Sequence, residues 1–254
     1  MIRTKKLKKY YGSFEALVEL DLNVASGEFY GFLGPNGAGK TTTVKILAGL
    51  LKASAGNAFV GGYDISREAI EAKKIIGFIP DRPYIYEKLT ASEFLIFTAR
   101  LFNMDAAETR LRIDEYLELF GLMDWKNELI ESFSHGMRQK TIMAAALLHR
   151  PKIIIVDEPM VGLDPKGAKL VKKILKNLCN KGTTVFMSTH SLPVAEELCD
   201  RIGIIQKGQV IAEGTMEELR TLAKNSPHTS HEKLEDIFLN LTGEEGENAL
   251  PDDL

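Results

Sequence analysis

Short β-type runs with apolar residues occupy positions 16–24, 29–33 and 58–60, with Gly61-Gly62 closing the last. Between them lie a glycine-rich turn and an apolar stretch that predicts a helix over 40–51, so the N-terminal part reads as strands around one helix. The periodicity then lengthens. Thr90, with Glu93 three residues on, makes a capping box, and Phe94, Phe97 and Leu101 follow at helical spacing. Ile113, Tyr116, Leu117 and Phe120 share the face of the next helix, which stops at Gly121, a residue suited to the left-handed position after a helix.

After Pro151 the β pattern returns. Residues 153–156 read as a buried strand, Asp164-Pro165 opens a helix to 180 with Gly182 beyond it, and 183–188 read as the next strand. Residues 202–205 and 210–212 flank Lys207-Gly208 as a hairpin, and Thr215 with Glu218 caps another helix. No repeat of 20–50 residues appears. The prediction is one elaborated α/β unit over residues 1–220 with a mostly parallel sheet, a β-rich N-terminal subdomain and an inserted helical lobe at about 90–150. Residues 221–254 then hold an amphipathic helix, with Leu234, Ile237, Phe238 and Leu241 on one face, and a tail whose last twelve residues carry five acids and no base. That helix is expected to pack on its own domain, a dimer or regulatory contact being the other reading.

Composition narrows the class. With 44% hydrophobic and 26% charged residues the chain is an ordinary globular sequence, which excludes collagenous, disulfide-rich and globally disordered types. The longest apolar runs, 142–148 and 153–156, fall far short of the roughly 18 residues of a spanning helix. The basic first twelve residues have no apolar stretch behind them, so no secretory signal is read and a cytosolic location is expected. Cys179 and Cys199 lack metal-ligand spacing and are expected to be buried and structural. A net charge of −3 argues against a nucleic-acid partner. The local cluster Lys5, Lys6, Lys8 and Lys9 reads as a solvated strand edge, with a lipid or partner contact as the other reading.

Gly34-Pro35-Asn36-Gly37-Ala38-Gly39-Lys40-Thr41 matches G-x-x-x-x-G-K-[ST] between a predicted strand and a helix, the context that phosphate-loop chemistry requires. Loop amides and the helix N-terminus cradle the α- and β-phosphates, Lys40 reaches the β- and γ-phosphates, Thr41 offers a hydroxyl to Mg²⁺, and Thr42 continues the ATP-binding run. The apolar strand ending in Asp157-Glu158 predicts a Mg²⁺ carboxylate at Asp157 and a general base at Glu158, the alternative being that both cap the next turn. These two elements fit kinases, GTPases and motor ATPases alike.

Residues 133–140, FSHGMRQK, precede an apolar helix expected to run to about His149. They resemble the signature motif of ATP-binding cassette (ABC) proteins, usually LSGGQ, with His135 in place of the first glycine and Met137 in place of the glutamine; Ser134 and Gly136 are retained. Gly162-Leu163-Asp164-Pro165 is similar to the family's D-loop, and His190 to its switch histidine. The resemblance covers about residues 1–220 and implies further roles. Tyr11 would stack on adenine; Asp81, where the family usually has the Q-loop glutamine, would ligate Mg²⁺ directly or through water; His190 would bond the γ-phosphate and orient Glu158 and water. His135, His149, His228 and His231 are given no catalytic role. Tyr84, Tyr86 and Phe94 fall where the family receives a helix of its membrane partner, and are read as core fillers or partner anchors.

The resemblance also implies that two chains, alike or different, sandwich two ATP molecules head to tail, the signature residues Ser134, His135, Gly136 and Met137 of each serving the other's ATP. ATP hydrolysis would then drive separately encoded permease subunits, on the cytoplasmic face of a membrane and in the export direction. The rival is a soluble ABC ATPase that assembles or remodels proteins.

Overall fold

The computed structural model describes residues 1–82 and 84–223 together with Phe238. The strands are β1 (Ile2–Tyr11), β2 (Phe14–Val24), β3 (Phe29–Leu33), β4 (Ala55–Val60), β5 (Tyr63–Asp64), β6 (Ile76–Ile79), β7 (Ile153–Asp157), β8 (Thr184–Thr189), β9 (Arg201–Gln206) and β10 (Gln209–Gly214). The helices are α1 (Lys40–Leu47), α2 (Ala69–Lys74), α3 (Ala91–Leu101), α4 (Ala106–Leu119), α5 (His135–Leu147), α6 (Pro165–Asn180), α7 (Leu192–Leu198) and α8 (Met216–Ala223).

A six-stranded sheet in the order β10-β9-β3-β8-β7-β6 is parallel except for β10. Its central strands β3, β7 and β8 are buried along their whole length, as a parallel sheet covered on both faces requires, and so read as unbroken apolar runs. Alternate side chains of β7 and β8 separate the two faces. Ile154, Val156, Val185 and Met187 join a core built with α3, α4, α5 and α6, whereas Ile153, Ile155 and Phe186 join one built with α1, β1 and β2. The helical segment between β6 and β7 has no separate core: Leu95, Ile113 and Phe120 belong to the same cluster as Val156 and Met187.

The antiparallel sheet runs β2-β1-β4-β5. The lysine cluster is therefore not on an edge: β1 pairs with β2 on one side and β4 on the other, and Lys5 and Lys6 are exposed on its face. The reason is that Ile2, Thr4 and Leu7 point into the core while the intervening residues face outward, an alternation that sets the face of a strand but not its neighbours.

Helix starts carry local chemistry. Thr90 Oγ1 accepts from Glu93 N at 3.2 Å while Glu93 Oε2 accepts from Thr90 N at 2.8 Å, and Thr215 with Glu218 repeats the pair before α8. Asp164 caps α6, with Pro165 in its first turn. α1 stops at Leu47, short of the expected 51, because the amides of Leu50 and Leu51 both fold back onto the Lys45 carbonyl. Cys179 is buried and Cys199 half-buried, and burial pushes both thiols up. Of the expected C-terminal helix only Phe238 lies among the described residues, packed on a cluster that contains Leu33, Ile202 and Leu219; the acidic tail lies outside them.

Candidate nucleotide site

β3 ends at Leu33 in the middle of the parallel sheet, and the loop that follows wraps the start of α1. Gly39 sits at φ +110°, and a β-carbon there would stand 2.8 Å from the Ala16 carbonyl oxygen, so only glycine lets the loop close onto β2. Lys40 is 7% exposed, and its Nζ donates to the carbonyls of Gly34 at 2.6 Å and Pro35 at 3.1 Å. Burial lowers its pKa, and the nearby carboxylates of Glu158 and Asp157 oppose that shift.

A cleft of about 420 Å³ opens over this loop. Pro35, Asn36, Gly37, Gly39, Lys40, Thr41 and Thr42 form its floor. Gly34 and Ala38 lie outside the lining: Gly34 holds the lysine from beneath, and the Ala38 carbonyl accepts the Gly208 amide at 3.0 Å. Tyr11 lines the mouth, with Lys9 Nζ 5.2 Å from its ring centre. Phe14, which the sequence reading missed, stands there too at 61% exposure; its signal was the tight Tyr11-Gly12-Ser13-Phe14 turn joining β1 to β2.

The far wall is Glu158, His190, Val161 and Asp81. β7 and β8 are in parallel register with Asp157 opposite Ser188, which carries Glu158 and His190 to the same sheet edge from positions 32 apart in the chain. Glu158 Oε1 lies 2.8 Å from His190 Nδ1, and Glu158 Oε2 accepts from Thr189 Oγ1 at 3.2 Å. Asp157 is buried behind the wall and accepts a hydrogen bond from Ser188 Oγ. Neither Ser188 nor Thr189 was singled out from the sequence, since hydroxyls at a strand end carry no periodic signal.

Ser134 and His135 are exposed and lie outside the cleft lining. Ser134 is the N-cap of α5 and accepts from Met137 N at 3.3 Å, which satisfies one of the amides of a helix start that lies at the surface. Gly136 packs beside the carbonyl of Gly162 and Met137 against the core, while Asp164 Oδ1 accepts from Gly167 N at 3.0 Å. The arrangement places a glycine-rich loop and the start of α1 beneath a carboxylate–imidazole pair, and leaves a second helix start, that of α5, exposed outside the cleft lining.

Residues 17–161 match the family model described as "ABC transporter". The chain belongs to that family. This ABC ATPase is 40% identical over 219 residues to the linearmycin resistance ATP-binding protein LnrL of Bacillus subtilis, a match covering 86% of this chain and 70% of LnrL. It is 39% identical over 221 residues to the bacitracin transport ATP-binding protein BcrA of Bacillus licheniformis, covering 87% and 71%. Among solved structures, an ATP-binding subunit of an ABC transporter superposes with a TM-score of 0.88 at 30% identity, covering 95% of this chain and 99% of that one. A dimeric ATP-binding cassette in a post-hydrolysis state, bound to ADP and Pi, superposes at 0.78 and 30% identity, covering 85% and 99%. The chain is thus an ATP-hydrolysing subunit of an ABC transporter with the α/β cassette fold.

Proposed function

We propose that this ABC ATPase drives an exporter whose membrane-spanning subunits are separate chains, and that it does so as a pair of ATPase chains at the cytoplasmic face. One observation carries the pairing: the α5 start at Ser134 is exposed and lies outside the lining of its own chain's cleft, so its amides are placed to serve a phosphate bound elsewhere. The names of LnrL and BcrA, resistance and transport, support the export direction.

For the membrane partner, the support is a second hollow of about 520 Å³ between β6 and helices α3 and α5, lined by Phe78, Pro80, Phe102 and Ile142. Tyr84 at its rim is 83% exposed and Tyr86 nearby is also exposed, which suits partner anchors, whereas Phe94 is 7% exposed and fills the core. No helix among the described residues is long and apolar enough to cross a membrane.

The oxygen donors Thr41, Asp157 and Asp81 are of the hard type that suits Mg²⁺. Thr41 and Asp81 line the cleft and Asp157 is buried behind its wall, which suits an ion held by one or two carboxylates and by the phosphates themselves. Bound there, Mg²⁺ would offset charge on the β- and γ-phosphates. Lys40 binds those phosphates, Glu158 accepts the proton of the attacking water, and His190, held through Nδ1 by Glu158, is free to offer its other ring nitrogen to the γ-phosphate. Tyr11 and Phe14 stack on the base.

The test is purification of the tagged full-length chain from detergent-solubilised membranes of its own cell. Recovery of an integral membrane protein whose presence stimulates ATP turnover supports the reading. Recovery of soluble partners alone would favour the assembly or remodelling alternative.

A further inference from the structure

Thr189 is the last residue of β8 and is almost fully buried. A hydroxyl has one proton to donate and two lone pairs to accept. The Ser191 amide, which can only donate, bonds to Thr189 Oγ1 at 3.0 Å and occupies one lone pair. The Thr189 proton is therefore directed to its other partner, Glu158 Oε2 at 3.2 Å, an acceptor when ionised. The hydrogen-bond chain Ser191 N–H to Thr189 O–H to Glu158 begins at the N-cap of α7 and fixes the second oxygen of a carboxylate whose first oxygen faces His190.

The backbone adds a constraint. Glu158 has φ +49°, a left-handed conformation costly for a side-chain-bearing residue, and its amide is held by the Ser188 carbonyl at 3.0 Å. Both the main chain and the carboxylate of Glu158 are thus held by the final two residues of the neighbouring strand. A carboxylate with only the His190 contact could rotate about its last torsion, a broad two-fold one, and turn away from the water it activates.

We propose that Thr189 is a positioning residue that orients the Glu158 carboxylate for hydrolysis. The proposal rests on Glu158 being the general base. Thr189→Val keeps the shape and removes the donor, whereas Thr189→Ser keeps the donor.

The experiment is steady-state phosphate release by the full-length chain, with ATP affinity measured separately on each variant. Thr189→Val is expected to lower kcat about tenfold, with KM and ATP affinity within about twofold, and Thr189→Ser to recover most of the loss. In a Glu158→Gln background Thr189→Val should lower the residual rate no further, since the group it orients has already been replaced. A wild-type kcat in Thr189→Val, or the same tenfold drop in the Glu158→Gln background, would overturn the inference. Phosphate release near the wild-type rate by Glu158→Gln itself would instead remove the general-base reading, and this proposal with it.

Discussion

The imidazole of His135 lies across the backbone of Gly162: a β-carbon built on Gly162 would overlap the ring at Nδ1 and Cε1. Gly162 has φ +76° and lies in the turn between Glu158 and the α6 cap Asp164, where Leu163 N bonds the Met160 carbonyl at 3.3 Å. The start of α5 and this loop are therefore matched in shape within one chain.

Gly162→Ala should cost about 1–3 kcal/mol, from the left-handed backbone and from displacement of the ring. His135→Gly should remove the steric part, so the double variant is less destabilised than the sum of the singles. Urea denaturation of the four proteins checks this; strict additivity would mean that the two residues do not touch in solution.

Glu158→Gln should leave ATP affinity within a few-fold and lower turnover by about 10²–10⁴, because an amide cannot take the water's proton. Stable ATP-bound pairs of chains should then appear on size-exclusion chromatography. Phosphate release near the wild-type rate would reject Glu158 as the base.

Composite sites predict complementation. Lys40→Ala disables a chain's own phosphate loop, and Ser134→Arg should spoil the site that its α5 start completes on the neighbour. In a linked pair carrying one lesion on each chain, one site collects both and the other collects neither. With Glu158→Gln added throughout, that pair should trap one ATP; trapping none, while linked controls with intact signatures trap two, would rule out head-to-tail sites.

Asp81 lines the cleft wall across from the phosphate loop. Asp81→Ala should raise the Mg²⁺ concentration needed for half-maximal ATP turnover several-fold and change nucleotide affinity less. An unchanged Mg²⁺ titration would assign Asp81 to the fold.

His149 predicts a pH dependence of stability. Its ring stacks on Phe102 at 3.7 Å between centroids, and Nε2 lies 3.1 Å from the Ile76 carbonyl. Burial lowers its pKa from 6.5 to about 4, with the Ile76 carbonyl opposing and Arg112 adding to the shift. The unfolded chain then binds the proton more readily, so the stability from neutral His149 is complete above pH 6.5 and falls as pH drops towards 4. Denaturant midpoints at pH 7 and pH 5 should differ less in His149→Gln than in the wild type; an equal difference would place the pH dependence elsewhere.

Features legible in the sequence are those whose physics is local. The phosphate loop depends on glycine torsions and helix-start amides within nine residues, and the capping boxes at Thr90 and Thr215 depend on a three-residue spacing. The buried strand before Asp157 announced itself as an apolar run because both faces of a parallel strand are covered.

Tertiary structure decided what spacing cannot encode. An alternating pattern tells a strand which residues are buried but not which strand lies beside it, so the lysine-rich pattern of β1 predicts an edge where the sheet has an internal strand. The partners of Glu158 depend on the register of β7 against β8, which places Asp157 opposite Ser188 and thereby brings Thr189 and His190 to one carboxylate. Phe14 joins Tyr11 only because the β1–β2 turn folds over the cleft, and His135 meets Gly162 only because α5 packs against the loop after β7. These contacts join residues whose own neighbours in the chain carry no trace of them, because burial periodicity records depth and leaves the identity of the neighbour to the packing of the whole sheet.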